Sequence, residues 1–338
     1  MPDYEFNIIA PEITANDRLM DLDHTTIHAR DREIVVPCTR INNRTVIVTG
    51  HLLRIAAIQD ESYVEGEIAP QPDVFVKRLR ECPLRPDIFT FSQKIADGTP
   101  RFPYYFEWDS FAVIPITSYN EWFHRRARSD VRQSIRKAKR AGVVTRSVQY
   151  NDEFLRGIKA LYDDSPIRQA MPCWHSGKTV GYLDRIHGTY RSRSEYIGAY
   201  LNDELIGFVK MVYVDRIAKT MNVIGKQSYS HVRPTSALIA KAVRICEQKK
   251  ISHFVYGQYR YPGKPNSSLA EFKQRNGFEE APFPRYFVPL TQKGSVALRL
   301  GLHHELRASV PVPVGQAFLA CRSRFYKLLG FDRRGVHA

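Results

Sequence analysis

Short β-branched runs separated by turn residues fill the first third of the chain. Residues 33–38 and 45–49 alternate as strands do, Asn42-Asn43 between them reads as a turn, and 51–59 continues the sheet. Residues 75–80 have the spacing of a short helix, 87–92 that of a strand, and 111–116 form the unbroken apolar run of a buried strand. At Ser118 the period changes. Ser118 and Glu121 stand at capping-box spacing, and Phe123, Ala127, Val131, Ile135 and Ala138 then recur as one narrow helical stripe. The stripe predicts a single long helix that stops at Gly142.

Beyond Gly142 the order is strand (143–148), helix (152–163), helix (178–190), then three strands at 195–201, 205–214 and 218–224, with Asn202-Asp203 turning between the first two. Pro234 opens a helix to about 249, with Leu238, Ile239, Ala242, Val243 and Cys246 on its apolar face. A strand at 252–256, a short helix at 266–276 and a strand at 278–289 complete the set; Ser268 and Glu271 have capping spacing in that helix, and Gly277 follows it. The fold class is α/β, with a mixed sheet. From residue 291 the pattern differs again: Val310-Pro-Val-Pro-Val314 reads as a stiff linker before an amphipathic segment with Val314, Phe318, Phe325 and Leu329 on one side and Arg322, Arg324 and Lys327 among them.

With 338 residues and 25% charged side chains the chain is long enough for two domains and ordinary for a folded protein. Fifty basic against 35 acidic residues leave a net charge of +15 and a pI near 9.6. That excess points to a polyanionic partner, although a basic surface with no specific partner gives the same count. Much of it lies in the predicted long helix, where Arg125, Arg126, Arg128, Arg132, Arg136, Lys137, Lys139 and Arg140 are opposed only by Asp130. A solvated helix face usually mixes signs to gain pairs one turn apart; this one hardly does. Five cysteines with no CxxC pair read as reduced thiols, and the adjacent His303 and His304 have no metal-ligand spacing around them, so no metal is expected. Neither a signal peptide nor a membrane-spanning run is recognised, which makes a cytoplasmic protein the expectation, with peripheral contact to the inner face of the membrane permitted by the basic amphipathic tail.

The element order after residue 142 resembles that of the GNAT acyltransferases. Two segments resemble FemAB-like proteins more narrowly: Arg132-Gln-Ser-Ile-Arg-Lys-Ala-Lys-Arg-Ala-Gly142, leading into a valine-rich strand, and Leu269-Ala-Glu-Phe-Lys-Gln-Arg-Asn-Gly-Phe278. The likeness extends from about 111 to 289 and weakens over the first hundred residues. It implies two tandem GNAT-like acyl-CoA N-acyltransferase domains: a degenerate N-terminal half over 1–117, a transferase domain with a basic leading helix over 118–290, and a tail over 291–338. The implied activity is transfer of an acyl group from a thioester donor, CoA or an acyl carrier protein, to an amine of a sugar, amino acid or envelope precursor. Aminoacyl transfer from aminoacyl-tRNA is the alternative, and a non-catalytic scaffold binding RNA or a membrane is a third. No tightly bound cofactor is implied, since CoA, carrier protein or tRNA would act as co-substrate.

Acyl transfer to an amine passes through a tetrahedral oxyanion and needs positive charge aimed at it. By the resemblance, Lys273 supplies that charge and Phe272 positions the substrate; an ordinary core phenylalanine beside a solvated lysine fits the same residues. His231 is the candidate base, having the most suitable ordinary pKa, with Tyr229, Tyr256 and Tyr259 as other candidates near strand ends. The stretch Arg233-Pro-Thr-Ser-Ala-Leu238 stands where GNAT enzymes bind the CoA pyrophosphate on glycine-rich backbone. Ser236 and Leu238 occupy the two glycine positions, and the leucine is expected to obstruct phosphate. Arg233, Ser236, Tyr256, Tyr259, Arg260 and Lys264 are the candidates for holding substrate or donor. Arg125, Arg128, Arg132, Arg136, Lys137 and Arg140 are the candidates for a polyanion such as a tRNA backbone.

Overall fold

The computed structural model describes residues 23–29, 32–94, 98–168, 171–172, 176–259 and 268–304. Asn42 and Asn43 both adopt positive φ, 47° and 58°, the geometry of a tight hairpin whose twist matches its strands. The hairpin joins β2 (Arg32–Ile41) to β3 (Arg44–Thr49), with β1 (Asp23–Ala29) on one flank and β4 (Ile55–Ile58) on the other. Of the stretch expected to extend the sheet over 51–59, only β4 is strand. A crossover through α1 (Pro72–Glu81) then lays β5 (Ile88–Ser92) parallel to β4, and the central strand β6 (Phe106–Pro115) follows.

The chain next forms a turn of helix, α2 (Tyr119–Glu121), capped by Ser118, whose hydroxyl accepts from Glu121 N. After α3 (Ser129–Arg140) and β7 (Val144–Val148) come α4 (Asp152–Asp163), the short pair β8 (Ile167–Arg168) and β9 (Met171–Pro172), and α5 (Val180–His187). Strands β10 (Ser194–Leu201), β11 (Glu204–Val214) and β12 (Ile217–Gly225) then run antiparallel. Helix α6 (Pro234–Gln248) crosses over to β13 (His253–Gln258), parallel to β12, and α7 (Ser268–Arg275), β14 (Glu279–Pro289) and α8 (Gln292–Arg299) close the described chain.

All but β8 and β9 form one mixed sheet of twelve strands, ordered β1-β2-β3-β4-β5-β14-β6-β13-β12-β11-β10-β7. Each end of the sheet has four antiparallel strands and then a parallel neighbour reached through a helix. The sheet does not part at residue 117, because the last strands are exchanged across the centre: β6 pairs with β13, β14 pairs with β5, and β6 and β14 pair with each other.

Strands β10 and β11 are largely apolar and buried in their middles because both faces are covered. Leu238, Ile239 and Val243 of α6 pack on Val209 and Met211 from one side, while Phe154, Leu161 and Leu183 of α4 and α5 pack on Tyr196, Phe208 and Ile224 from the other. In the first half Phe75 and Leu79 of α1 meet Phe89, Phe91 and Tyr286. Helix α8 covers the opposite face through Ala297 against Ile88 and Phe287. Asp87 ties α8 down: its buried carboxylate accepts from Arg54 N and Thr291 Oγ1, both at 2.9 Å, and pairs with Lys293 at 2.8 Å. Burial works against that charge, but the bonds from Arg54, Lys293 and Thr291 outweigh it and hold the carboxyl below its usual range. Its stabilising contribution is therefore present above the ordinary carboxylate pKa and lost as pH falls through the folded value. Asp87→Ala is expected to cost about 1–3 kcal/mol, read as a lower urea midpoint at neutral pH.

The long helix expected after Ser118 is broken. Trp122–Arg126 forms a wider turn, Ala127 and Arg128 are extended, and α3 starts afresh at Ser129. The cause is tertiary: Arg128 N donates to Arg275 O at 3.0 Å, and the Trp122 indole donates to Asn276 O at 2.8 Å. These bonds outweigh two further helical residues. The helix expected over 178–190 is also shorter, ending at His187 before a tight turn at Arg191–Arg193. Residues 305–338, including the expected linker and amphipathic segment, lie outside the described residues. Among the described residues no helix is long and apolar enough to cross a membrane.

Candidate active site

Strands β12 and β13 pair only through Ile217–His253, Ala218–Phe254 and Lys219–Val255, and then separate. A cleft of about 400 Å³ opens beside this splay. Its walls are Val223 to Gly225 at the end of β12, Arg233 to Ser236 at the start of α6, Asp130, Val131 and Ser134 of α3, and Phe272, Arg275 and Asn276 around the end of α7.

Parting strands leave ladder carbonyls without partners, and a buried one must be met. Lys273 meets one here. Its side chain is fully buried and its ammonium donates to Gln258 O, with the Tyr256 ring 5.4 Å away. Burial pushes the Lys273 ammonium down to about 8. Phe272, its neighbour, lines the cleft and lies 5.7 Å from Tyr256. Helix α7 is held by its C-terminal end. Besides the Trp122 and Arg128 bonds, Arg126 pairs with Glu279 at 3.1 Å and Arg275 with Asp130 at 3.5 Å. Gly277, at φ 80°, allows this contact: a Cβ there would come within 2.9 Å of the Arg126 backbone.

The start of α6 faces the same cleft. Arg233, at φ 59°, turns the chain into the helix, and no side chain caps its first turn. A fifteen-residue helix with an uncapped N-terminus in a cleft presents backbone N–H groups to an anion. Leu238 does not obstruct that end, contrary to the expectation from sequence. Its side chain is wholly buried in the core, where Gly207 leaves room for it: a Cβ on Gly207 would lie 3.1 Å from the leucine methyl.

The structure thus brings Phe272, Arg233 and Ser236 to one cleft; Lys273 does not line it but lies buried beside Tyr256, and Tyr256 and Tyr259 share a core margin with Phe272. His231 is exposed on the turn Ser230–Val232 and does not line the cleft, which removes the geometric basis for calling it the base. Arg260 and Lys264 lie outside the described residues. Arg125, Arg128, Arg136, Lys137 and Arg140 are exposed on α3 and the segment before it. Arg132 is half-buried and donates to Ala127 O at 2.5 Å, so it also serves the break before α3. Asp130, Ser134 and Lys137 follow at i, i+4 and i+7, which carries the cleft wall onto the basic surface.

Sequence reasoning passed over two buried lysines on the other face of the sheet. Lys210 is fully buried and donates to Thr189 O at 2.7 Å and Thr189 Oγ1 at 2.9 Å. Lys219 stands at the last paired position before the splay, 3.9 Å over the Phe111 ring. Burial pushes both down to about 7. Beside Lys219, at the seam where first-half residues meet β12, Arg285 pairs with Glu61 at 3.0 Å and Asp109 at 3.4 Å. For Lys210 the available signal was a lone lysine in the middle of an apolar run, residues 205–214.

No family model and no curated relative matches the chain. Solved structures do. FemX superposes with a TM-score of 0.55 at 8% identity, over 83% of this chain and 90% of FemX. The C-terminal domain of an Agrobacterium fabrum protein designated a lysylphosphatidylglycerol synthetase gives 0.50 at 12% identity, over 76% of this chain and 84% of that one. The chain shares the fold of FemX and of that synthetase domain. Within this fold the splay, the uncapped start of α6 and the Phe272-Lys273 pair all belong to the second half of the chain.

Proposed function

We propose that this chain is an N-acyltransferase that moves an acyl or aminoacyl group from a polyanionic donor to an amine. The observation that carries the proposal is the cleft itself: Phe272 and the uncapped N-terminus of α6 meet in it, and Phe272's neighbour on α7 is the buried ammonium of Lys273. The donor phosphates would lie at Arg233, Ser236 and the first amides of α6, and the donor carbonyl would enter the splay beside Phe272. The acceptor nitrogen attacks the carbonyl carbon, the bond from that carbon to the donor's oxygen or sulfur breaks, and the departing atom takes the amine proton. Lys273 stabilises the oxyanion in between. No protein base is assigned.

Between donors, the structure favours aminoacyl-tRNA over the thioester put first from sequence. The exposed cations of α3 continue outward from the cleft wall, so a donor that reaches the cleft and extends well beyond it gains contacts a compact one cannot make. The thioester reading retains one support, the uncapped helix end, which suits a pyrophosphate. Binding of bulk aminoacyl-tRNA, acyl-CoA and acyl carrier protein at about 150 mM salt tests the choice. Arg136→Glu combined with Lys137→Glu is expected to weaken tRNA binding roughly tenfold or more and to flatten its salt dependence, leaving CoA binding unchanged. Unaltered tRNA binding in that variant, or selective binding of CoA or carrier protein, would return the assignment to a thioester donor.

A further inference from the structure

We propose that Glu107, His303 and His304 form a binding site for a divalent metal of the zinc class, separate from the cleft. Glu107 stands near the start of the central strand β6, and the two histidines follow α8. Glu107 Oε1 lies 2.9 Å from His303 Nε2 and 3.3 Å from His304 Nε2, and all three donor atoms lie within 4.8 Å of one another. Two imidazoles bonded to one tetrahedral zinc at about 2.0–2.1 Å, with a carboxylate at a similar distance, place their donor atoms about 3.3 Å apart. The two carboxylate–imidazole spacings lie within a few tenths of an ångström of that geometry, and the two imidazole nitrogens are within 4.8 Å of each other.

The Tyr105 hydroxyl and His303 Nε2 each lie 2.9 Å from Glu107 Oε1 and fill its two lone-pair sites, while His304 Nε2 approaches the same oxygen to 3.3 Å outside those hydrogen bonds. A cation between the oxygen and the two ring nitrogens would draw all three donor atoms into one coordination sphere and leave Tyr105 as the supporting donor to the ligating carboxylate. His303 Nδ1 is buried without a partner in either arrangement, so it does not discriminate. The rings are already set: His303 is 1% exposed, packed 4.6 Å from Phe287 and 4.0 Å from the His304 ring. His304 is 46% exposed, which leaves access for the ion and room for a water as the remaining ligand. Two imidazoles select zinc-like ions over magnesium or calcium. Local spacing could not reveal this site, because its third member lies 196 residues from His303.

The experiment is zinc titration of the chelator-treated full chain against a competing dye, with cobalt substitution read by visible absorption. One equivalent is expected to bind, to give the intense bands of a tetrahedral cobalt site, and to raise the melting temperature. Glu107→Gln and His304→Ala are each expected to weaken binding ~10–100-fold. His304→Ala truncates a half-exposed side chain, so loss of folding does not confound it. Absence of saturable uptake, or equal uptake by the wild type and both variants, overturns the proposal and leaves the cluster a hydrogen-bonded group of Tyr105, Glu107 and His303.

Discussion

Lys273→Met is expected to lower the transfer rate by about 10²–10³-fold while donor binding and the fold persist. Two opposed effects keep the stability change small. The methionine removes a buried charge whose desolvation is costly, and it leaves the Gln258 carbonyl without its donor; together they are expected to fall within about 1–2 kcal/mol. The pH dependence identifies the working form. With its pKa pushed down to about 8, Lys273 is mostly charged at neutral pH, so an oxyanion-stabilising role predicts transfer that declines as pH rises through 8. A rate that climbs through the same interval would make the neutral amine, acting as a base, the active form. Stability moves the other way. A lysine whose folded pKa lies below its ordinary value disfavours the fold while charged, and that penalty fades as pH rises from about 8 toward the ordinary lysine range. Wild-type turnover in Lys273→Met would reduce the residue to a partner for the Gln258 carbonyl and remove its catalytic assignment.

Gly277→Val is expected to have the second largest effect, and it reports on positioning rather than chemistry. The position combines φ 80° with a Cβ approach of 2.9 Å to the Arg126 backbone, so a β-branched side chain meets both backbone strain and a clash. A loss of about 2–4 kcal/mol is expected in urea unfolding. Where the fold survives, α7 loses its seat on Trp122 and Arg128, and transfer is expected to fall by more than the unfolded fraction explains. Trp122→Phe, which deletes only the indole bond to Asn276 O, is the milder companion. Activity that follows the folded fraction in both variants would show that the seat of α7 does not limit catalysis.

Local signals carried much of the second half. Helix α4 spans Asp152–Asp163, matching its periodicity, and Asn202 and Asp203 take positive φ, 49° and 62°, as a tight hairpin turn requires. Gly142, at φ 84°, ends α3 as expected. What escaped notice was set by contacts distant in sequence. The break at Ala127–Arg128 answers bonds from the end of α7, and nothing in the stripe around it foretells them. Leu238 was misjudged because a motif position fixes a residue type but not the direction of its side chain, and Gly207 draws that side chain inward. The Glu61–Arg285–Asp109 network joins three separate segments and has no local pattern at all.

The exchanged central strands also constrain how the molecule is made. Strand β5 finds its partner in β14, where Ser92 pairs with Arg285, so the inner margin of the first half stays open until nearly the whole described chain has been synthesised. Pairing over such a sequence separation is slow, and a partly made chain exposes an apolar strand edge in the meantime. Neither half is therefore expected to fold stably when expressed alone. A nascent chain halted between α6 and β14 should occupy chaperones, whereas one halted beyond Pro289 should acquire protease resistance in a single late step.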